Sequence, residues 1–431
     1  MAESIYNRLR GAGCSRAQAA RLTGRFEALG GDGIELFVPG RIELVGNHVD
    51  YAGGSSLTIA TNRGFVVRAR PLDEPVLRLN ISSQGLAADF PLENSLRGEG
   101  WATYPATLIR RILTNVPAAA TRGGRGAELV MDSDVPLAAG LSSSSAFMIA
   151  LFLGWGHASG WIEDPLLQDA LVDDQAVADY VSAIENGRNY GPLLGDLGVG
   201  TAGGSQDHTA IVQSRAGKVG RYRYISPQRE GLWAWPEGVV PLVFSSGVVA
   251  EKAGSALADY NKAAGLAAAL RDVWNMDQPD APIQGIGFLD ETQLDWLARR
   301  VTGAMATRLE AFRQEARVVD LASAALTAGD VAGFADAINT SQHVAENLTG
   351  NQIPQTESLC SLAREYGALA ATSFGAGFGG AVWALVEEKD LASVSENTLE
   401  AYAKRFDRRA AALPEEAGPG AFLADERGLR G

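Results

Sequence analysis

The sequence predicts a two-domain α+β protein. Three observations lead there: a length beyond what one hydrophobic core usually serves, an ordinary globular composition, and two regions where strand-like runs interleave with helical ones. The chain has 431 residues, so two domains of about 200 residues each are expected. Apolar residues make up 46% and charged residues 20%. That balance can fill a core in each half and argues against extensive disorder.

Taken in order, residues 5–29 have the spacing of an amphipathic helix. ELFVPGRIELVG and LTIATNRGFVVRARPL alternate as paired strands. VLRLNISS and GAELVMDSDVP continue the sheet on either side of a helical stretch, WATYPATLIRRILTNV. SSSSAFMIALFLGWGHASG opens with hydroxyl residues suited to an N-cap and closes at Gly160, as a buried helix would. In the next helix Val177, Tyr180, Val181 and Ile184 recur at i, i+3, i+4 and i+7, leaving Glu185 at the edge of the apolar face. Strand character resumes at GLWAWPEGVVPLVFSSGVV, followed by a long Ala-rich helix, several more helices and the strand AVWALVEE. The boundary is placed near residue 230, giving domains 1–230 and 231–431. The tail LPEEAGPGAFLADERGLRG, rich in Pro, Gly and charge, reads as a surface strap. No internal repeat or low-complexity segment stands out.

Lys and Arg total 37 against 51 Asp and Glu, a net charge of −14, which disfavours nucleic acid as a partner. Backbone amides, a helix N-terminus and a metal ion can still build a local phosphate site. Cys14 and Cys360 are far apart and fit neither a metal spacing nor a disulfide framework, so a reducing cytoplasm suits them. No signal-peptide core and no run of roughly 20 apolar residues is present. A cytoplasmic monomer or small homo-oligomer with no membrane contact is expected.

Four segments carry candidate chemistry. In VPLAAGLSSSSAF, residues 135–147, a small-residue turn runs into a helix opening on Ser142, Ser143, Ser144 and Ser145. Free amides and the dipole at such a helix start suit phosphate, and hydroxyls can complete the contacts or ligate Mg²⁺; a close-packed helix cap is the other reading. The segment is not a Walker A loop, which ends in Gly-Lys-Ser/Thr. PGRIELVGNHVDYAGG, residues 39–54, gathers Arg41, Asn47, His48, Asp50 and Tyr51 at a strand end among glycines. Such a cluster recognises sugar hydroxyls, or forms a surface turn whose Asp and Asn cap backbone groups. In GTAGGSQDHTAIV, residues 200–212, Asp207 lies in a loop after Gly203 and Gly204. It either receives the proton of an attacking hydroxyl or caps a helix. SFGAGFGGAVWALV, residues 373–386, is a glycine-dense loop entering a strand, able to lie against a nucleotide or serve as a tight turn.

In this order the segments resemble the motifs of the GHMP kinases, named for galactokinase, homoserine kinase, mevalonate kinase and phosphomevalonate kinase. PGRIELVGNHVDYAGG looks like the galactokinase signature, usually PGR-x-N-L-I-G-E-H-T-D-Y-N-x-G, and VPLAAGLSSSSA resembles the phosphate loop P-x-x-x-G-L-S-S-S-A. SFGAGFGGAVWALV resembles the third motif, G-A-G-F-G-G followed by a strand. WATY at 101–104 is similar to a W-x-N-Y stretch, GSQDH to G-I-M-D-Q, and ALADYNKA to a segment ending in Tyr. The resemblance spans nearly the whole chain. It implies an N-terminal domain like domain 2 of ribosomal protein S5, a C-terminal ferredoxin-like α/β sandwich, and a site between them.

By the same resemblance Asp207 would be the catalytic carboxylate, with Arg41 beside it to hold it ionised and to offset developing charge. Gly140, Leu141 and Ser142 to Ser145 would hold ATP phosphates, and Ser144 with Glu185 would bind Mg²⁺. Asn47, His48, Asp50 and Tyr260 would contact the sugar. The implied activity is transfer of phosphate from ATP to the anomeric hydroxyl of galactose or a related monosaccharide, giving a sugar 1-phosphate and ADP. The departures bear on substrate: Asn47 stands where the signature has Glu, Ala52 where it has Asn, and Gln206 and His208 flank Asp207 in place of Met and Gln. A neutral amide at 47 would weaken recognition of a C6 hydroxyl and remove repulsion against a C6 carboxylate. A hexuronic acid or other modified sugar is therefore an alternative acceptor. A non-catalytic sugar and ATP sensor is another reading, and a kinase for a non-sugar alcohol a third that the polar cluster disfavours.

Overall fold

The computed structural model describes residues 2–116, 126–135, 140–248, 255–424 and 429. The single N-terminal helix expected over 5–29 is two helices, α1 (Ala2–Gly11) and α2 (Arg16–Leu29). Gly13 turns the chain at φ 95°, and the Ser15 hydroxyl then caps α2 by accepting from the Gln18 amide at 3.1 Å. Periodicity alone runs through such a break because both pieces bury one stripe. Leu9, Leu22 and Phe26 all pack on Phe37 and Val66 of the sheet beneath.

The sheet elements and helices of the first region are β1 (Ile34–Val45), β2 (Ser55–Leu72), β3 (Val76–Ile81), β4 (Leu86–Pro91), α3 (Thr103–Asn115) and β5 (Gly126–Ser133). They continue with α4 (Ser143–Ser159), α5 (Pro165–Ala170), α6 (Asp174–Glu185), α7 (Gln206–Gln213), β6 (Lys218–Arg223) and β7 (Gln228–Ala234). The second region holds β8 (Val239–Ser245), α8 (Ser255–Asp277), α9 (Glu291–Ala298), α10 (Gly303–Ala328), α11 (Val331–Val344) and α12 (Pro354–Glu365). It ends with β9 (Ala370–Ser373), β10 (Ala381–Glu387), α13 (Leu391–Phe406), β11 (Ala411–Pro414) and β12 (Phe422–Leu423). Strand β4 escapes the sequence reading because LAADFP is poor in β-branched residues.

Two sheets result. The first has the order β12-β1-β2-β5-β3-β4, with β6 and β7 joined to the other half of the long β2; β3 and β5 pair in parallel and its other ladders are antiparallel. Helix α4 runs through its core, buried continuously from Ser145 to His157, as a helix apolar on all sides must be. The second sheet, β11-β8-β10-β9, is antiparallel. Along β10 the side chains alternate: Trp383 and Leu385 join the core with α10 and α11, while Val382, Ala384 and Val386 face α12 and α13. This is an α+β architecture.

The tail is not a surface strap. After β11 it crosses back to the first sheet, where Gly418 N donates to Ala60 O at 2.8 Å and β12 pairs with the edge of β1. The Glu415 side chain is fully buried and accepts from Arg63 Nε at 2.8 Å. A Pro- and Gly-rich composition conceals an edge strand only two residues long. Among the described residues no helix is long and apolar enough to cross a membrane.

Candidate active site

Strand β1 alternates core and cleft: Ile42 and Leu44 enter the core, while Arg41 and Glu43 line a cleft of about 260 Å³. The mouth of α4, the start of α7 and the glycine loop before β10 complete its walls. Asp207 lies in the first turn of α7, not in a loop. One of its carboxylate oxygens takes both Arg41 Nε (2.8 Å) and Nη2 (2.7 Å); the other takes the Ser142 hydroxyl at 2.6 Å. Arg41 Nη1 also donates to Gly140 O at 2.8 Å. One guanidinium thus fixes the acid and the phosphate-type turn in a single frame.

Ser142 does not cap α4 as expected. It sits at φ 55° and its hydroxyl makes no cap hydrogen bond, having turned to Asp207. Ser143 and Ser144, at a helix start where the first amides have no intrahelical acceptor, line the cleft. The earlier part of that segment, residues 136–139, lies outside the described residues.

The C-terminal end of α6 delivers Asp207. Asn186 Oδ1 accepts from Thr201 Oγ1 (3.0 Å) and Gly203 N (2.8 Å), and Ser182 Oγ donates to Gly204 O at 2.9 Å. Asn261 on α8 holds the same loop by accepting from Ala202 N at 2.9 Å. Gly203 and Gly204 are required by proximity: an added Cβ would lie 2.7 Å from Tyr260 Oη and 2.4 Å from Asp50 Oδ2, respectively. Tyr260 and Asp50 thereby approach the backbone leading to Asp207.

His48, Tyr51 and Tyr260 form a mutual edge-to-face trio, with centroids 5.5 to 6.1 Å apart. His48 Nε2 meets Ala376 O at 3.1 Å, so this nitrogen carries the proton, and Nδ1 accepts from Tyr51 Oη at 2.8 Å. Tyr51 Oη in turn accepts from Arg308 Nη2 at 2.6 Å. Burial, reinforced by the Arg308 cation, lowers the His48 pKa to about 3, so the ring is neutral. Its nitrogens are committed, and it offers the cleft a ring surface. Asp50 is buried with its pKa raised, first by burial and then by the Asp207 charge.

Asn47 is not where the sequence reading places it. Its Nδ2 donates to Glu43 Oε1 (2.9 Å) and Gly375 O (3.0 Å), and its Oδ1 accepts from Asn351 Nδ2 at 3.0 Å. With the amide saturated and 3% exposed, it stands behind the cleft wall. Its partner Glu43 does face the cleft, 2% exposed and pushed up to about 8, chiefly by burial. The alternation R-I-E-L in a strand signals Glu43; nothing in sequence spacing signals Arg308 or Glu315. Both lie on α10, one face apart by seven residues: Glu315 Oε2 accepts from Gly46 N (3.0 Å) and Asn47 N (3.1 Å), and Arg308 donates to His48 O.

Glu185 is buried at the end of α6 and lines the cleft. Its Oε1 lies 3.4 Å from the Ser145 hydroxyl and its Oε2 3.0 Å from His208 Nε2. A carboxylate and hydroxyls beside a helix start form a hard oxygen donor set that fits Mg²⁺ together with phosphate oxygens. The loop at 374–380 closes the cleft, with Gly375 and Gly377 at φ 75° and 77°. Three of the six described non-glycine residues at positive φ, His48, Ser142 and Phe378, fall in segments bounding the cleft, the place where such strain collects when it serves a site.

Comparison with known proteins gives matches along most of the chain. Residues 25–71 match the galactokinase galactose-binding signature, 107–213 the GHMP kinases N terminal domain, and 322–404 the GHMP kinases C terminal. The chain is 28% identical over 376 residues to a galactokinase of Thermococcus kodakarensis, covering 86% of this chain and 95% of the relative. It is 27% identical over 404 residues to a galactokinase of Chloroflexus aggregans, covering 89% and 91%. Among solved structures it is similar to Lactococcus lactis galactokinase complexed with galactose, with a TM-score of 0.74 and 21% identity over 94% of this chain and 99% of that one. Methanococcus jannaschii mevalonate kinase shares the fold at a TM-score of 0.58 and 13% identity, over 90% and 99%.

Proposed function

Since the chain belongs to the GHMP kinases as a galactokinase-like sugar kinase, we propose that it phosphorylates the anomeric hydroxyl of galactose or a related neutral monosaccharide. ATP is the donor and a sugar 1-phosphate and ADP are the products. The observation that carries this is the position of Asp207, bonded to Arg41 and Ser142 between the serine-rich helix mouth and the cluster at His48, Asp50 and Tyr260.

In this mechanism the amides at the start of α4, with Ser143 and Ser144, hold the ATP phosphates. Asp50 and the aromatic trio seat the sugar with its C1 hydroxyl toward Asp207. As the hydroxyl oxygen bonds to the γ-phosphorus, its proton passes to the Asp207 carboxylate, the bond from phosphorus to the β-γ bridging oxygen breaks, and ADP leaves. Arg41 keeps Asp207 oriented and offsets charge developing on the transferred group. Glu185, with Ser145 or Ser144, would hold Mg²⁺, which when bound neutralises charge on the β- and γ-phosphate oxygens. A hexuronic acid is disfavoured, because the Asp207 charge would repel a further carboxylate in the cleft, and burial there already works against charge at Glu43 and Asp50.

An ADP-release assay over neutral hexoses, pentoses and uronic acids, with ³¹P and ¹³C NMR of the product, tests this reading. Turnover of a neutral aldose with phosphate on C1 is expected. Transfer to another position, or turnover of uronic acids alone, would contradict it.

A further inference from the structure

The signature that residues 39–54 resemble carries Asn two positions after its Arg and Glu before its His. Here the two are exchanged: Glu43 stands at the first position and Asn47 at the second. The structure joins them, Asn47 Nδ2 donating to Glu43 Oε1 at 2.9 Å. The acid has therefore been moved from the loop onto β1, and the amide ties it to the glycine loop through Gly375 O and to Asn351. Asn351 O accepts from Phe378 N at 2.6 Å, so this tie reaches the far side of the same loop.

Within this pair the roles are unequal. Asn47 has both donors and its acceptor committed to protein partners, and it does not line the cleft. Glu43 does line it, two residues from Arg41 on the same strand face and close to Asp50. Among the described residues, its carboxyl takes one hydrogen bond, that from Asn47. A buried carboxyl with capacity left toward a ligand cleft gains by pairing with a ligand hydroxyl, because the alternative is a polar group shut from water.

We propose that Glu43 is the specificity-determining acid of this kinase, hydrogen-bonding one hydroxyl of a neutral monosaccharide, and that Asn47 is its positioning residue. This rests on the sugar-kinase reading above and deepens it. It reverses the expectation from sequence: the exchange at 47 does not open the site to an anionic sugar, because an acid persists four residues earlier, on β1. It also makes residues 43 and 47 a coupled pair. A carboxyl at 47 would remove the amide that donates to both Glu43 Oε1 and the Gly375 carbonyl, leaving that pair of acceptors short of donors.

The test is steady-state kinetics with the preferred neutral sugar, each of its monodeoxy analogues and the matching uronic acid. The variants are Glu43→Ala, Glu43→Gln, Asn47→Glu and the exchange Glu43→Asn/Asn47→Glu. Wild type should lose about tenfold or more in kcat/KM on one deoxy analogue. Glu43→Ala should raise KM for the parent sugar by about that factor, erase that one discrimination, and leave KM for ATP within about twofold. Glu43→Gln, which keeps the Asn47 bond and the volume, controls for folding and should retain more of the discrimination than Glu43→Ala. Asn47→Glu should lose about tenfold or more in activity, and the exchange should recover most of it. Unchanged sugar KM and deoxy profile in both Glu43 variants, or an exchange variant no better than Asn47→Glu, overturns the inference while leaving the kinase reading intact. Failure of the wild type to turn over any neutral sugar overturns both.

Discussion

At Asp207 three donors from two side chains converge on one carboxylate, and each is expected to respond differently to substitution. Lysine in place of Arg41 keeps the charge but cannot span Asp207 and Gly140 O together, so Arg41→Lys should lower kcat about tenfold or more while shifting the melting temperature little. Stopped-flow ADP release and calorimetry check this. Replacing Ser142 with Ala removes one hydrogen bond to Asp207 and leaves α4 intact, since Ser142 makes no cap; the expected cost in kcat is about tenfold, from one lost charge-assisted bond. At this scale the sequence is legible where type and motif suffice: Arg41, Asp207 and the serines come together as expected. It is not legible where a loop folds back on its own strand. Nothing in the spacing says that Asn47 turns to Glu43 and stands behind the cleft wall, or that Ser145 meets Glu185.

Among the elements, α10 matters most to the cleft without lining it. Its Glu315 accepts from two backbone amides of the 46–47 turn and from Ser341 Oγ at 2.8 Å, and its Arg308 supports His48 and Tyr51. Glu315→Ala would leave three buried donors unpaired at about 1–3 kcal/mol each. A loss of roughly 3 kcal/mol or more in unfolding free energy is expected, together with a higher sugar KM and an unchanged KM for ATP. Chemical denaturation and substrate kinetics read both. Helix existence and type are legible for α3, α4 and α6 because their apolar patterns are strong. The break between α1 and α2 and the strand β4 are not, since one hides in continuous periodicity and the other in weak strand formers. A buried Glu on a helix more than 260 residues from the turn whose amides it accepts from is readable only after folding.

For the whole molecule, buried charge sets the pH dependence of stability. Glu43 is raised from 4.5 to about 8, and Glu315 and Glu415 from 4.5 to about 7, each mainly by burial. Above pH 4.5 the unfolded chain releases these protons while the native state keeps them, so their contribution falls as pH rises toward 7 and 8. His48 acts oppositely: lowered from 6.5 to about 3, it makes the native state lose stability as pH falls below 6.5. Thermal melts should therefore show stability declining between pH 6.5 and 8.5, and Glu43→Gln should flatten that decline; an unaltered slope would remove Glu43 from this account. The two-sheet layout was readable from composition and pattern, but the return of the tail to β1 was not, because two residues carry it. The proposed phosphoryl transfer depends on Asp207 receiving the sugar proton inside this cleft. The direct measurement is rapid-quench single turnover of Asp207→Asn against wild type, with ATP affinity measured by calorimetry on the same samples. Phosphoryl transfer slowed by about 10²–10⁴-fold with ATP affinity nearly unchanged is expected; transfer at the wild-type rate would rule out Asp207 as the proton acceptor.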